Sequence, residues 1–197
     1  MNIACVMGNG PSRKQFDLDC IHATMYTYGC NALYRDFMPD YLISMDFSVV
    51  DEILQKNVHK KCNFYTQHKN RIDKLAEEGE PINFFWGQPM THDSGTSALE
   101  LAAETNDVIY MIGFDYMQDD KLPNIYHGTT NYASNSNIPA ADDLTNRWKT
   151  RLRSVVKKFD TKKFIRVNGS NTEISIQQTN YSEITPEQFK EIYDPRT

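Results

Sequence analysis

The chain has 197 residues, of which 40% are hydrophobic and 24% are charged, so its composition is that of a folded domain rather than a disordered chain. Its 21 basic and 26 acidic side chains give a net charge of −5, which argues against a surface built to coat nucleic acid or an anionic membrane. No apolar run approaches the ~20 residues that span a bilayer, and residues 1–7 lack the basic segment and cleavage site of a signal peptide. We therefore expect one cytoplasmic domain over residues 1–197.

The strands are predicted from short apolar runs that alternate with polar or amphipathic stretches. In chain order the runs cover Ile3–Met7, 24–30, 41–45, Asn63–Thr66, 82–86, Val108–Ile112 and 164–167. The stretches between them predict helices over 12–19, 48–56, 97–105 and 144–159, the third with Ser97 and Glu100 as a capping box. Strands that alternate with helices predict the fold class: α/β, a single Rossmann-like three-layer domain with a mainly parallel sheet.

Two further segments carry no predicted helix or strand. Residues 118–137 form a polar loop that is longer than an ordinary connection, and this is typical of a lid over a binding site. The tail over residues 171–197 is polar, and it gives no clear apolar pattern.

The cysteines support a reducing compartment. Cys5, Cys20, Cys30 and Cys62 form no C-x-x-C pair and show no zinc-binding spacing with histidine. Cys5 and Cys30 lie within predicted strands, where a thiol usually behaves as a small buried hydrophobe. We therefore expect reduced thiols.

Basic residues are concentrated late in the chain. Residues 147–166 contain nine of the 21 lysines and arginines. A nucleic-acid-binding helix has such a sequence, and so does the solvated face of a core helix whose C-terminal lysines complement its dipole. Because no aromatic residues that would stack on bases are interleaved with these charges, the sequence favours the solvated face.

A glycine-rich turn directly follows the first predicted strand, and it consists of Gly8, Asn9, Gly10, Pro11 and Ser12. Two glycines allow a sharp turn and a close approach of the backbone to a ligand. The amides of a following helix then favour a phosphate or another anion. The turn is neither a complete dinucleotide fingerprint, since position 13 is Arg, nor a Walker loop, since the chain lacks Gly-Lys-Ser/Thr. It therefore predicts either a phosphate site or a purely structural turn.

Polar residues also follow three other predicted strands. Asn31 offers a donor and an acceptor at the end of the second strand, while Asp46 and Asp115 follow the third strand and the Val108–Ile112 strand. The carboxyl ends of strands in an open α/β sheet are where ligands bind. The two carboxylates either hold Mg²⁺ between phosphates or cap turns, and capping is the favoured interpretation.

A hydroxyl-rich segment, residues 91–97, opens a predicted helix. Its hydroxyl and amide groups suit a phosphate or a carboxylate, and the candidate ligands are Ser94, Gly95 and Thr96. Simple N-capping accounts for only one or two of these residues. In the polar loop, Tyr126 and His127 are the remaining candidates, because a histidine there could serve as a general base near neutral pH.

Four blocks of the sequence occur in the order in which they stand in bacterial sialyltransferases of glycosyltransferase family 42. The blocks are residues 6–12 (VMGNGPS), 29–31 (GCN), 94–95 (SG) and 109–116 (IYMIGFDY). The chain resembles that family over about residues 3–35 and 90–117. The same skeleton is similar to flagellar motility accessory factors and to MptE-like 6-hydroxymethylpterin diphosphokinases.

The resemblance to family 42 implies a donor sugar activated by CMP or another nucleotide, with no required cofactor, bound by Asn9, Gly10, Asn31, Ser94 and Gly95. It also implies that a histidine deprotonates the acceptor hydroxyl and that tyrosines assist departure of the phosphate. The nearest candidates are His127 and Tyr126, with Tyr116 and Tyr132 as further tyrosines.

Asp46 departs from the sialyltransferase pattern, where a neutral residue is usual, and is more like the carboxylate of the diphosphokinase branch. That branch implies an ATP- and Mg²⁺-dependent diphosphokinase in which Asp46 and Asp115 hold the metal. A non-catalytic nucleotide- or RNA-binding module is the third hypothesis. The leading hypothesis is a glycosyltransferase whose partners are a nucleotide-sugar and a glycan or another hydroxyl acceptor, with nucleic acid not expected and self-association left open.

Overall fold

A parallel sheet forms the centre of the computed structural model, which describes residues 1–85, 93–116, 123–132, 141–170, 172 and 174–194. Within these ranges the strands are β1 (Ile3–Met7), β2 (Tyr26–Cys30), β3 (Tyr41–Ser44), β4 (Asn63–Thr66), β5 (Ile82–Phe84), β6 (Val108–Ile112), β7 (Lys163–Val167) and β8 (Tyr181–Ile184). Their spatial order is β5-β4-β3-β2-β1-β6-β7-β8, and every neighbouring pair is parallel.

The helices of the described residues are α1 (Leu18–His22), α2 (Phe47–Gln55), α3 (Lys69–Glu77), α4 (Ser94–Thr105), α5 (Ala141–Lys158) and α6 (Pro186–Tyr193). Short 3₁₀ segments cover Pro11–Gln15, Asn31–Arg35 and Val58–Lys60. None of the helices in the described part of the chain combines the length and the apolar character needed to cross a membrane.

The sheet separates two apolar clusters, as the alternation of side chains along a strand requires. Ala4 and Val6 of β1 belong to a cluster that includes buried residues of α4 and α5. Cys5 and Met7 belong to a second cluster, which includes buried residues of α1, α2 and α6. With a layer of helices on each face, the chain forms a single Rossmann-like α/β domain. The predicted fold class is confirmed.

Several predicted elements need correction. The helix expected over 97–105 begins at Ser94 and is capped by Asp93, so Ser97 and Glu100 are buried positions inside α4 and the predicted capping box is wrong. The helix expected over 12–19 is divided into a 3₁₀ segment and α1, with Asp17 as the N-cap of α1. The strand expected over 82–86 ends at Phe84, and Trp86 lies outside the described residues.

The order of the strands places one crevice at the carboxyl edge of the sheet. The chain runs from β1 outward to β5 on one side, and β6 then returns to pair with β1 on the other side. The loops after β1 and β6 therefore leave the sheet on either side of a topological switch point, where ligands of open α/β sheets bind. Most of the predicted site residues follow strands that end at this edge.

Candidate active site

The two glycines after β1 allow the loops after β1 and β6 to pack against each other. Gly8 N–H donates to Ile112 O at 2.8 Å, and Gly10 N–H donates to Gly113 O at 2.9 Å. A Cβ added at Gly8 would lie 2.5 Å from Gly113 O, and one at Gly10 would lie 2.4 Å from Asp115 Oδ2. Both positions require glycine because the neighbouring loop is so close.

Asp115 caps the 3₁₀ segment that follows this turn. Ser12 N–H donates to Asp115 Oδ2 at 2.8 Å, and the Ser12 hydroxyl donates to Asp115 Oδ1. Pro11 occupies the first position of the segment, where a missing N–H costs nothing. Because both oxygens of the buried Asp115 accept from Ser12, the capping interpretation holds for this carboxylate.

Asn31 and Asp46 form a polar pair where β2 and β3 end. Asn31 adopts a left-handed backbone, and its Nδ2 donates to Asp46 Oδ2 while its Oδ1 accepts from the Ser44 hydroxyl at 2.8 Å. Asp46 is the N-cap residue of α2, but its side chain makes no capping hydrogen bond. The predicted capping role is therefore wrong for Asp46. Burial raises the pKa of Asp46, and the negative charge of Asp93 raises it further, against the hydrogen bond from Asn31.

The first turn of α4 lies against the end of β3. The Ser94 hydroxyl accepts from Met45 N–H at 2.9 Å and donates to no acceptor among the described residues, so its own proton suits a ligand. Asp93 accepts from both the N–H and the hydroxyl of Thr96, each at 2.8 Å, which engages Thr96 in capping. Gly95 adds a backbone amide to the positive end of the helix. Residues 91 and 92 of the predicted hydroxyl-rich segment lie outside the described residues.

The polar loop is bonded directly to the glycine turn. Ile125 N–H donates to Asn9 O at 2.8 Å, so residues 123–132 lie at the carboxyl edge. The Tyr126 hydroxyl, which is buried, donates to Asp36 Oδ2 at 2.6 Å, and burial raises its pKa. His127 is partly exposed beside it. Of the predicted lid over 118–137, residues 118–122 and 133–137 lie outside the described residues.

Arg13 joins the glycine turn to that loop, and no sequence motif identifies it as a site residue. Its side chain is 2% exposed, and its guanidinium donates to Gly8 O at 2.9 Å and to Tyr126 Oη at 2.9 Å. The same guanidinium forms an ion pair with Asp36 at 3.0 Å and donates to Asn9 Oδ1 at 3.2 Å. Arg13 thus stands where a dinucleotide fingerprint has its third glycine, and it has a structural role there.

The other two candidate tyrosines are mostly enclosed. Tyr116 is buried in a left-handed conformation, with the Arg166 guanidinium 5.5 Å from the centre of its ring. The Tyr132 hydroxyl accepts from Ala32 N–H at 3.3 Å, and its ring packs 5.6 Å from that of Tyr126. Burial raises the pKa of Tyr116 and of Tyr132.

An exposed aromatic ring beside Asp46 was missed at the sequence level. Phe47 is 58% exposed, and its inner face stacks on the His68 ring at 3.7 Å between centroids. His68 Nε2 donates to Met45 O at 2.7 Å, and the Arg71 guanidinium lies 5.7 Å from the Phe47 ring. The ring is thus held in place at the carboxyl edge while more than half of its surface is exposed, which suits contact with a planar ligand.

The basic stretch is largely engaged within the protein. Arg166, which is 1% exposed, lies in β7 and pairs with Glu183 at 3.0 Å, so its predicted place on a solvated face is wrong. Lys158 pairs with the buried Glu100, and Arg151 lies 3.5 Å from Asp93. These contacts leave fewer charges for an RNA backbone than the sequence suggested.

Glu52 anchors the far side of the polar loop. This buried carboxylate accepts hydrogen bonds from Tyr34, Arg35, Lys56 and Asn131. Burial alone would raise the pKa of Glu52, but the donors, led by Arg35, outweigh burial and lower it to about 2.

Glu52 therefore makes the free energy of unfolding depend on pH in the acidic range. Because the pKa of Glu52 is lower in the folded state than its usual 4.5, its contribution is complete above about pH 4.5 and is lost as the pH falls toward 2. We expect the free energy of unfolding, measured with urea at pH 5 and pH 3, to fall less in Glu52→Gln than in the wild type. Glu191→Gln, an exposed control, should keep the wild-type difference, and equal falls in all three would contradict this role.

No protein-family model, curated protein or solved structure matches this chain. Within the described ranges, no three histidine, cysteine, aspartate or glutamate side chains are grouped so that they could hold a metal ion. The geometry of the carboxyl edge and the order of its motifs are therefore what support a function.

Proposed function

We propose that the protein binds a nucleotide-activated sugar at the carboxyl edge of the sheet and transfers the sugar to an acceptor hydroxyl. The observation that carries this proposal is the hydrogen bond from Ile125 N–H to Asn9 O, because it attaches the loop that bears His127 to the glycine turn. His127 and the glycine turn are thereby brought to one edge, although more than a hundred residues separate them in sequence.

The nucleotide would use groups that the fold leaves available at this edge. The first-turn amides of Ser94 and Gly95 and the Ser94 hydroxyl would bind the phosphate at the positive end of α4. The Asp46 carboxylate would accept hydrogen bonds from ribose hydroxyls, as acidic residues do in other nucleotide-binding α/β folds. The exposed ring of Phe47 would contact the base.

The chemistry requires one proton transfer and one displacement. The acceptor oxygen forms a bond to the anomeric carbon while His127 takes the hydroxyl proton, and the bond from that carbon to the nucleotide phosphate breaks with its electron pair on the phosphate. The Tyr126 hydroxyl already forms hydrogen bonds with Asp36 and Arg13. These hydrogen bonds support a positioning role for Tyr126 next to His127 rather than contact with the leaving phosphate.

The diphosphokinase hypothesis keeps Asp46 but not Asp115, because both oxygens of Asp115 accept hydrogen bonds from Ser12. In that alternative Asp46 would hold Mg²⁺, which would neutralise charge on the phosphates of ATP. The diphosphokinase hypothesis predicts ATP binding that EDTA abolishes.

Calorimetric titration with CMP, CDP, UDP and ATP, each with Mg²⁺ and with EDTA, tests both hypotheses. We expect CMP to bind equally with and without EDTA, and Phe47→Ala to weaken that binding by about tenfold, a typical loss for one stacked base. Tyr26→Ala, which removes a ring that is 53% exposed at the amino end of β2, is the matched control and should bind as the wild type does.

The outcomes separate the hypotheses. ATP binding that is lost with EDTA would favour the diphosphokinase. Failure of every nucleotide to bind, or equal loss in both aromatic variants, would contradict the proposed nucleotide site.

A further inference from the structure

A cavity of about 640 Å³ opens at the opposite, amino edge of the sheet. Its lining includes residues at or just before the starts of three strands, among them Asp40 before β3, Asn63 at the start of β4 and Pro81 before β5. The volume falls in the range of ~300–1,000 Å³ that small-molecule sites occupy. The cavity is separate from the carboxyl edge, because β3 and β4 run between the two.

A buried histidine, His59, lines this cavity. The His59 side chain is 3% exposed, and neither ring nitrogen makes a hydrogen bond to the described residues. Its nearest charged neighbour is Glu80, whose Oε2 lies 3.5 Å from His59 Nε2. Because a buried polar atom without a hydrogen bond costs stability, His59 Nδ1, which has no partner among the described residues, is suited to a ligand that supplies one.

The charged groups around the cavity favour an anionic ligand. Lys61 is exposed on its rim and forms no ion pair with the described residues, while Lys60 pairs with Glu80 at 2.8 Å. Asp40 is the carboxylate in the lining. Its Oδ2 accepts from the N–H and the hydroxyl of Thr27, both at 2.8 Å, so its charge is already stabilised by these donors.

We infer that this cavity binds a small organic phosphate. The phosphate oxygens would accept hydrogen bonds from His59 and from the Lys61 ammonium, since a phosphate is rich in acceptors and both groups donate. The organic part would contact the apolar side chains of Met38 and Pro81, which also line the cavity. The site is independent of the proposed transferase activity, since none of its residues follows a strand at the carboxyl edge.

Titration of ¹⁵N-labelled protein with inorganic phosphate and with phenyl phosphate, followed by amide chemical shifts, tests the site. We expect saturable shifts at residues 59–63, with phenyl phosphate binding more tightly than phosphate. His59→Phe and Lys61→Ala should each weaken binding about tenfold, as expected for the loss of one hydrogen bond to a charged group. Lys74→Ala, which alters an exposed lysine of α3 away from the cavity, should leave it unchanged.

Several results would overturn the inference. One is the absence of shifts at residues 59–63, and another is binding that survives both the His59 and the Lys61 substitutions. Equal shifts with phenol would mean that the phosphate is not recognised. Shifts confined to Gly8, Gly10 and the start of α4 would contradict this site while supporting the proposed nucleotide site. Because Lys61 is exposed, its substitution keeps the test valid even if His59→Phe does not fold.

Discussion

Replacing His127 with alanine should lower sugar transfer by about 100-fold to 10,000-fold, the usual contribution of a general base, while CMP binding is retained. The structure supports separate effects on the two steps. His127 lies on the loop that Ile125 attaches to Asn9, while the proposed phosphate donors belong to α4 and the proposed stacking ring belongs to α2. Removing the imidazole takes away the proton acceptor without removing the groups that hold the nucleotide.

The measurement is steady-state transfer from a CMP-sugar, together with calorimetric CMP binding, in the wild type and His127→Ala. Thr130→Ala is the control, because it changes an exposed side chain in the same loop while Thr130 O can still accept from Arg35. The control should transfer as the wild type does. Unchanged transfer in His127→Ala would remove His127 from the mechanism, and loss of CMP binding would show that it holds the donor instead.

The central part of the fold was predictable because the strands of a parallel sheet are covered on both faces. Val108–Ile112 is buried at every position, and it therefore reads as a continuous apolar run whose ends could be predicted correctly. The edge strand β8 has no fully buried residue, so its sequence carries no such signal. α3 was missed for a similar reason, since Ile72 is its one buried residue.

The polar tail contains a local sequence signal for α6. Thr185 and Gln188 form a capping box, and Pro186 occupies the first turn. Capping chemistry of this kind can be read from three or four consecutive residues, and it needs no apolar periodicity. The predicted cap at Ser97 lies four residues after the actual cap of α4, which is Asp93.

The members of the candidate site could be predicted better than their roles. Asn9, Asn31 and Asp46 were expected to lie together because parallel strands bring their carboxyl ends to one edge, and the structure places all three there. Whether a carboxylate caps a turn depends on a partner's exact position, which the sequence does not give. Asp115 accepts a hydrogen bond from Ser12, which lies 103 residues away in sequence, whereas the Asp46 side chain makes no capping hydrogen bond.

Arg13→Met should lower the free energy of unfolding by about 2–4 kcal/mol, because it removes the donor side of a buried network while the acceptors remain. Gly8 O loses the hydrogen bond from Arg13, and Tyr126 Oη keeps its hydrogen bond to Asp36. The loss stays below the cost of breaking a fully buried ion pair because Asp36 is about half exposed to solvent. Urea unfolding measures the difference.

Lys14→Met is the matched control, since Lys14 is the exposed neighbour of Arg13 in the same 3₁₀ segment, and it should stay within about 0.5 kcal/mol of the wild type. The free energy of unfolding of Arg13→Lys should lie between those of Arg13→Met and Lys14→Met. A lysine ammonium restores the positive charge, but it lacks the two guanidinium nitrogens that donate to Gly8 O and Tyr126 Oη together. Limited proteolysis adds a local readout: cleavage within residues 123–132 should be faster in Arg13→Met, since the loop loses the hydrogen bond between Tyr126 and Arg13 while keeping that from Ile125 to Asn9. If Arg13→Met and Lys14→Met were equally stable and equally resistant, Arg13 would not contribute to holding residues 123–132 at the carboxyl edge.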